Sequence, residues 1–125
     1  LRHEVFVEEQ KVPVELELDH EDDTALHAVA LNRMGFCLAT GRLIQHAPGV
    51  SRIGRMAVKK QMRGSDLGRR VLHALMDTAA HRGDKEVILH AQCSAEGFYK
   101  RSGFTPHGGI FEDAGIAHIE MVRQL

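Results

Sequence analysis

Alternating apolar and polar side chains over residues 25–58 predict strands joined by tight turns. Three segments show this alternation: residues 25–31, 36–45 and 51–58. The turn sequences between them are Asn32-Arg33-Met34-Gly35 and Pro48-Gly49, and both favour a reversal of the chain. A strict period of two places on one face of the third strand Ile53, Arg55 and Ala57. The pattern is therefore that of an antiparallel meander.

The period of the apolar positions changes from two to about four after Ser65. The repeat consists of Leu67, Val71, Leu75 and Ala79. This spacing predicts a long amphipathic helix, and Gly83 supplies a stop signal. The next apolar run, Val87-Ile88-Leu89 within residues 86–91, is typical of a buried parallel strand. We expect it to lie beside the 51–58 strand through a helical crossover.

The ends of the chain complete the predicted fold. Residues 2–10 favour the end of a helix that Pro13 terminates, and an acidic loop follows it. A short helix over residues 94–101 precedes a final hairpin over 104–111 and 115–122. The fold class is therefore α+β, with a mixed, largely antiparallel sheet, one βαβ crossover and flanking helices. A length of 125 residues corresponds to a single domain, 1–125.

Composition narrows the class of protein. With 43% hydrophobic and 26% charged residues, the chain is neither disordered nor fibrous. No apolar run approaches the roughly 20 residues that span a bilayer, and the opening Leu1-Arg2-His3-Glu4 lacks the cationic-then-apolar pattern of a signal peptide, so we expect a cytoplasmic protein with no membrane contact. Cys37 and Cys93 are too few for a disulfide framework. Because no histidine or cysteine pair has a metal-ligand spacing, we expect no metal.

Charge is unevenly distributed along the chain, although the net charge is −1. The first 25 residues contain nine carboxylates: Glu4, Glu8, Glu9, Glu15, Glu17, Asp19, Glu21, Asp22 and Asp23. Residues 51–70 contain one carboxylate and seven basic side chains: Arg52, Arg55, Lys59, Lys60, Arg63, Arg69 and Arg70. A pI near 6.8 argues against nucleic acid as a partner. The local basic excess instead favours a small phosphorylated ligand.

The segment Gln61-Met62-Arg63-Gly64-Ser65-Asp66-Leu67-Gly68-Arg69 joins the third strand to the long helix. The first N–H groups of a helix have no partner within it, and the helix dipole places about half a positive charge there. Gly64 and Gly68 permit close backbone approach. Because Arg63 and Arg69 add positive charge, we expect a pyrophosphate to bind here. The alternative is an ordinary glycine-containing turn with a solvated basic face.

A second motif, Ala-x-x-Phe-Tyr-x-x-x-Gly-Phe, occupies residues 95–104. A strand, a Gln/Arg-x-x-Gly loop, a long helix, a strand and this motif, in that order, resemble the GNAT superfamily of N-acetyltransferases, which bind acetyl-CoA. Residues 4–13, the pair Ala91-Gln92 and residues 114–121 further resemble its small bacterial ElaA/YjcF-like branch. The resemblance covers almost the whole chain and implies that the first strand of the family is missing at the N-terminus.

The resemblance implies an acetyl-CoA site. The backbone segment implied to pair with the pantetheine arm is Met56, Ala57 and Val58. The residues implied to cradle the pyrophosphate are Arg63, Gly64, Ser65, Asp66, Leu67, Gly68 and Arg69. Gln92 is expected to hold the cofactor, and the Tyr99 hydroxyl is expected to approach its sulfur. Asp66 departs from the small residue usual in the family, and we expect its carboxylate to cap the helix and to oppose the pyrophosphate.

The activity implied is transfer of an acetyl group from acetyl-CoA to a primary amine by direct attack. The acceptor is a small molecule or a protein, and the sequence does not identify it. A homodimer is possible, but the sequence does not establish the oligomeric state. Glu15, Glu17 and His118 are the candidate bases, and Tyr99 is the candidate donor to the leaving thiolate. The alternative is a non-catalytic acyl-CoA-binding or regulatory module on the same fold.

Overall fold

A computed structural model describes residues 1–2 and 25–125. The helix end predicted over residues 2–10, and the acidic loop with Glu15 and Glu17, lie outside this part of the chain apart from Arg2. Within it, the strands are β1 (Leu26–Leu31), β2 (Cys37–Ala47), β3 (Val50–Val58), β4 (Glu86–Gln92), β5 (Thr105–Asp113) and β6 (Ile116–Gln124). The α-helices there are α1 (Leu67–His81) and α2 (Glu96–Lys100). Short 3₁₀ turns precede them at Lys60–Met62 and Cys93–Ala95.

The strands form one sheet in the order β1-β2-β3-β4-β6-β5. Every neighbouring pair is antiparallel except β3 and β4, which α1 connects as a parallel pair. This arrangement confirms the α+β fold, the helical crossover and the final hairpin. Gly83 has a φ of 94° beyond the end of α1, as its stop signal requires.

The core lies between α1 and one face of the sheet. Of the predicted stripe of α1, Val71, Leu75 and Ala79 are buried and Leu67 is half-buried. Gly41 on β2 allows the helix to come close, because a Cβ there would lie 2.5 Å from Met56 Sδ and 2.9 Å from Leu75 Cδ1. The sequence pattern therefore predicts the buried face of α1 correctly, while Gly41 sets its distance from the sheet.

The prediction that β3 alternates strictly between its two faces is wrong at Arg55. This residue has a φ of 50°, in the left-handed region, and the pairing of β2 with β3 shifts register between Thr40↔Ala57 and Arg42↔Gly54. An extra residue on one strand of an antiparallel pair produces such a bulge and interrupts the period of two. Ile53 and Ala57 are both buried, but the bulge puts them on opposite faces of the sheet, because their partners Leu43 and Thr40 lie three residues apart on β2.

The parallel pairing of β3 with β4 covers only half of the two strands. It runs from Val50↔Glu86 to Ile53↔Leu89 and stops there. Beyond that point β3 stays paired with β2, and β4 stays paired with β6. The two central strands therefore part just before the bulge, and the gap between them opens toward the N-terminus of α1.

We predict that Gly41→Ala lowers the free energy of unfolding by about 1–3 kcal/mol, because the added methyl group would overlap Met56 and Leu75. Gly54→Ala is the matched control on the neighbouring strand, since nothing lies within 4 Å of its Cβ position. Urea denaturation of the two variants measures the difference. Equal stability of the two variants would contradict the close contact between β2 and α1.

Candidate active site

A cleft of about 980 Å³ occupies the gap between the parted strands. Its walls come from β3, the N-terminus of α1, α2, β4 and the β5–β6 turn. The predicted site residues that line it are Met56, Ala57, Val58, Arg63, Gly64, Asp66, Leu67, Gly68, Arg69, Gln92, Tyr99 and His118. Ser65 is outside the lining, and its hydroxyl donates to the Met62 carbonyl. Residues far apart in the sequence thus meet at one place.

Backbone hydrogen-bonding groups of β3 face this cleft. Because Met56, Ala57 and Val58 have no strand partner on the β4 side, their edge is available to an extended ligand. Extended chains bind to such edges through main-chain hydrogen bonds. The geometry fits the expected position of a pantetheine arm, although the assignment of these residues stays a prediction.

The loop between β3 and α1 forms the basic end of the cleft. Gly64 has a φ of 87°, which glycine adopts without steric cost. Arg63 donates from Nε to the Val58 carbonyl at 3.1 Å, so the loop is tied back to the strand. A Cβ at Gly68 would lie 3.2 Å from Val58 Cγ2 and 3.4 Å from Phe98 Cζ, so glycine lets the first turn of α1 pack closely. A polyanion fits this end of the cleft.

The expected cap by Asp66 is wrong. Asp66 is the N-cap residue of α1, but its φ is 74° and its side chain makes no capping hydrogen bond. A capping residue normally has an extended backbone, which directs its carboxylate to the first free N–H groups. The Asp66 carboxylate instead accepts two hydrogen bonds of 2.7 Å from Arg69. The hydrogen bond from Arg69 holds the pKa of Asp66 below its usual value.

Tyr99 reaches the cleft from α2. The residue is 8% exposed, and its ring makes edge contacts with Phe98 and Phe104 at 5.0 and 6.0 Å. Burial raises the pKa of Tyr99 to about 12. Its hydroxyl has no hydrogen-bond partner among the described residues, so it is available to a ligand. Such a phenol donates a hydrogen bond readily and gives up its proton reluctantly.

His118 and Gln92 face each other across β4 and β6. The His118 Nδ1 atom lies 2.7 Å from the Ile116 carbonyl, so Nδ1–H is the donor in this contact. In the neutral ring the lone pair then belongs to Nε2. Phe111 stacks on the imidazole with ring centroids 5.8 Å apart and an interplanar angle of 25°. The ring that carries the candidate base is therefore held by a hydrogen bond and by an aromatic neighbour.

The predicted site omitted several side chains of the β5–β6 hairpin. Phe111 contacts His118, and Asp113 lines the cleft. Their positions follow from the two-residue turn Ala114-Gly115, since such a turn pairs Phe111 with His118. The predicted hairpin left three residues between its strands, so it did not define this register. Locating the turn at a positive-φ glycine would have revealed these neighbours.

Two features are not found in the part of the chain described. No helix there is long and apolar enough to cross a membrane. Residues 1–2 and 25–125 also hold no group of three or more His, Cys, Asp or Glu side chains placed to bind a metal ion. The absence of a metal from the reaction stays a prediction.

Comparison with known proteins settles the family. The model of the acetyltransferase (GNAT) domain matches residues 4–125. This chain belongs to the GNAT acetyltransferase family. The match covers both motifs that carry the resemblance, which is therefore confirmed.

Relatives and solved structures agree with this assignment. YjcF, an uncharacterized N-acetyltransferase of Bacillus subtilis, is 35% identical over 98% of this GNAT chain and 87% of its own length. ElaA of Escherichia coli is 32% identical over 100% of this chain and 84% of its own length. The crystal structure of an acyl-CoA N-acyltransferase from Pseudomonas aeruginosa superposes with a TM-score of 0.86 at 34% identity, covering 98% of this chain and 85% of that one.

We predict that Asp66→Gly leaves the melting temperature of the ligand-free protein unchanged or raises it. Glycine adopts a φ near 74° without steric cost, and the ion pair with Arg69 that is lost lies on the surface. Asp66→Ala removes the same carboxylate but keeps a Cβ on a left-handed backbone, so it should melt below Asp66→Gly. Thermal denaturation compares the two. A lower melting temperature for Asp66→Gly than for Asp66→Ala would contradict the left-handed conformation.

Proposed function

We propose that this GNAT protein is an acetyl-CoA-dependent N-acetyltransferase that acetylates a primary amine by direct attack. The observation that carries the proposal is the convergence of three groups at the parting of β3 and β4. These groups are the basic N-terminus of α1, the Tyr99 hydroxyl and the His118 imidazole. Membership of the GNAT family supports an acyl-CoA donor.

The cleft provides separate positions for the two halves of the cofactor. Residues 63–69 would hold the pyrophosphate through backbone N–H groups and Arg63. The open edge of Met56, Ala57 and Val58 would bind the pantetheine arm in an extended conformation. Gln92, at the end of β4, would contact the same arm near the thioester. Acetyl-CoA supplies an acyl group already activated as a thioester.

His118 would accept the proton that the acceptor loses. A lysine-like amine has a pKa of about 10.4, so presenting its lone pair at pH 7 costs roughly 4–5 kcal/mol. His118 Nε2 is suited to this role because Nδ1–H already donates to Ile116. The acceptor ammonium first releases one proton to solvent. As the C–N bond then forms and the C–S bond breaks, the proton lost by the attacking nitrogen passes to Nε2 and the electron pair of the broken bond stays on sulfur.

Tyr99 would stabilise the developing thiolate by a hydrogen bond. Full proton transfer from a phenol of pKa about 12 to a thiolate of reference pKa about 8.5 is uphill by about 5 kcal/mol. Donation of a hydrogen bond carries no such cost, and the Tyr99 hydroxyl, which has no hydrogen-bond partner within residues 25–125, would be free to donate it. The burial that makes Tyr99 a weak acid therefore favours electrostatic stabilisation over acid catalysis.

The proposal predicts that thiol is released from acetyl-CoA only when an amine acceptor is present, and that Tyr99→Phe slows this release by about 10- to 1,000-fold. The variant loses one hydroxyl and keeps the ring that packs against Phe98 and Phe104. A thiol-reactive dye and a mixed amine panel measure the rate.

Thermal shift with acetyl-CoA provides the control, because ligand at 100 times its dissociation constant should stabilise both proteins by about 2.7 kcal/mol. Stabilisation by acetyl-CoA without any amine-dependent thiol release would instead identify a non-catalytic acyl-CoA-binding module. If Tyr99→Phe reacts as fast as the unchanged protein, the hydroxyl has no role in the transfer.

A further inference from the structure

The charged side chains that line the cleft are arginines except for Asp66 and Asp113. The arginines lie around the N-terminus of α1, on the β2–β3 wall and, as Arg101, at the end of α2. Arg42, Arg52 and Arg55 on the β2–β3 wall each have interaction partners.

The opposite wall is the β5–β6 hairpin. Residues 105–122 of this hairpin contain no lysine or arginine and three carboxylates: Glu112, Asp113 and Glu120. Arg123 lies at the end of β6 remote from the turn and donates to the Ser102 carbonyl. A ligand that spans the cleft therefore meets positive charge at one end and negative charge at the other.

Asp113 is the carboxylate of the hairpin that lines the cleft. It is the last residue of β5, and Ala114 and Gly115 follow it with φ values of 52° and 78°. Two consecutive positive φ values define a tight hairpin turn, which fixes where β5 ends. Within the described residues, the Asp113 side chain makes no hydrogen bond or ion pair. Asp66, the other carboxylate of the lining, is paired with Arg69.

The register of the hairpin puts Asp113 close to the proposed base. Phe111 pairs with His118, and side chains two residues apart on a strand share one face. Asp113 therefore lies on the face of Phe111 and His118, about 6.8 Å further along the strand. Glu112, between them, belongs to the opposite face. The backbone positions of Asp113 and His118 are thus separated by roughly the length of a short alkyl chain.

The surface between these two groups suits an alkyl or cationic ligand. Phe111 is 36% exposed, and its ring lies against His118 and, at 5.2 Å, against the edge of His90. On the far side, Glu120 accepts a hydrogen bond of 2.8 Å from His107 Nδ1 and lies 3.4 Å from His90 Nε2. These contacts orient its carboxylate, and the hydrogen bond from His107 keeps the pKa of Glu120 below its usual value. Its negative charge adds to that of Asp113.

We infer that the acceptor of this protein is an amine that carries a second positive charge, and that Asp113 binds this second charge while the reacting nitrogen lies at His118. The inference rests on the proposed acetyl transfer, because it names the substrate class of the same site. Diamines and amines with a neighbouring ammonium group have the required chemistry. An acceptor with a carboxylate in that position would be repelled by Asp113.

Calorimetry with two amines of matched size tests the inference. The probes are 1,4-diaminobutane and 1-aminopentane, titrated at low ionic strength into the protein with and without coenzyme A. We expect the diamine to bind at least about tenfold more tightly, which corresponds to roughly 1.4 kcal/mol. Asp113→Asn should reduce this ratio to near one. Glu112→Gln removes an equal charge from the same strand on the opposite face, so it should keep the ratio.

Each outcome of this experiment either supports or overturns the inferred cation site. Equal affinity for the two amines, no binding of the diamine, or an unchanged ratio in Asp113→Asn would overturn the inference. If Glu112→Gln lowered the ratio of the two affinities as much as Asp113→Asn does, the inference would also be overturned. The preference for the diamine would then come from the overall negative charge of the hairpin and not from a contact with Asp113. Tight, Asp113-dependent binding of the diamine without acetyl transfer would support the cation site and reject the proposed function. Faster transfer to 1-aminopentane than to the diamine would reject the cation site alone.

Discussion

The parallel pairing of β3 with β4 is complete at one end and absent at the other, and the rest of the site depends on this difference. At the closed end, the amides of Lys85 and Glu86 donate to the Gly49 carbonyl at 2.8 and 3.2 Å. The Asp84 carboxylate accepts a hydrogen bond from the buried Ser51 hydroxyl and one of 2.8 Å from Arg82. Hydrogen bonding from Ser51 keeps the pKa of Asp84 below its usual value. The start of each strand is therefore fixed while the other ends diverge.

The crossover helix brings charge to the open end of the strands. Because α1 leaves from the carboxyl end of β3, its free N–H groups lie beside the gap. Ligands of sheets with parallel strands bind at this carboxyl edge for the same reason. Two glycines set how closely α1 approaches, Gly41 against its middle and Gly68 in its first turn. Packing of the core and the shape of the cleft are thus consequences of the same contacts.

Sequence patterns predicted the elements better than the details of the site. The apolar stripe of α1 and the run Val87-Ile88-Leu89 identified the crossover, because burial requires those patterns. The bulge at Arg55 was not predictable, since a left-handed arginine leaves no mark in an alternating pattern. The same holds for Asp66, whose residue type favours a cap while its backbone favours the contact with Arg69. At Asp66 the backbone conformation of the loop therefore outweighs the preference of aspartate for a capping position.

Amide hydrogen exchange with and without coenzyme A tests most directly whether the parted strands form the cofactor site. The account predicts slower exchange on binding at Met56 and Val58, whose N–H groups point away from β2 toward the gap, and within residues 63–69 at the N-terminus of α1. Residues 50–53 should not change, because β4 already pairs with them in the free protein. Binding of coenzyme A that slows exchange elsewhere and leaves Met56, Val58 and residues 63–69 unaffected would contradict it.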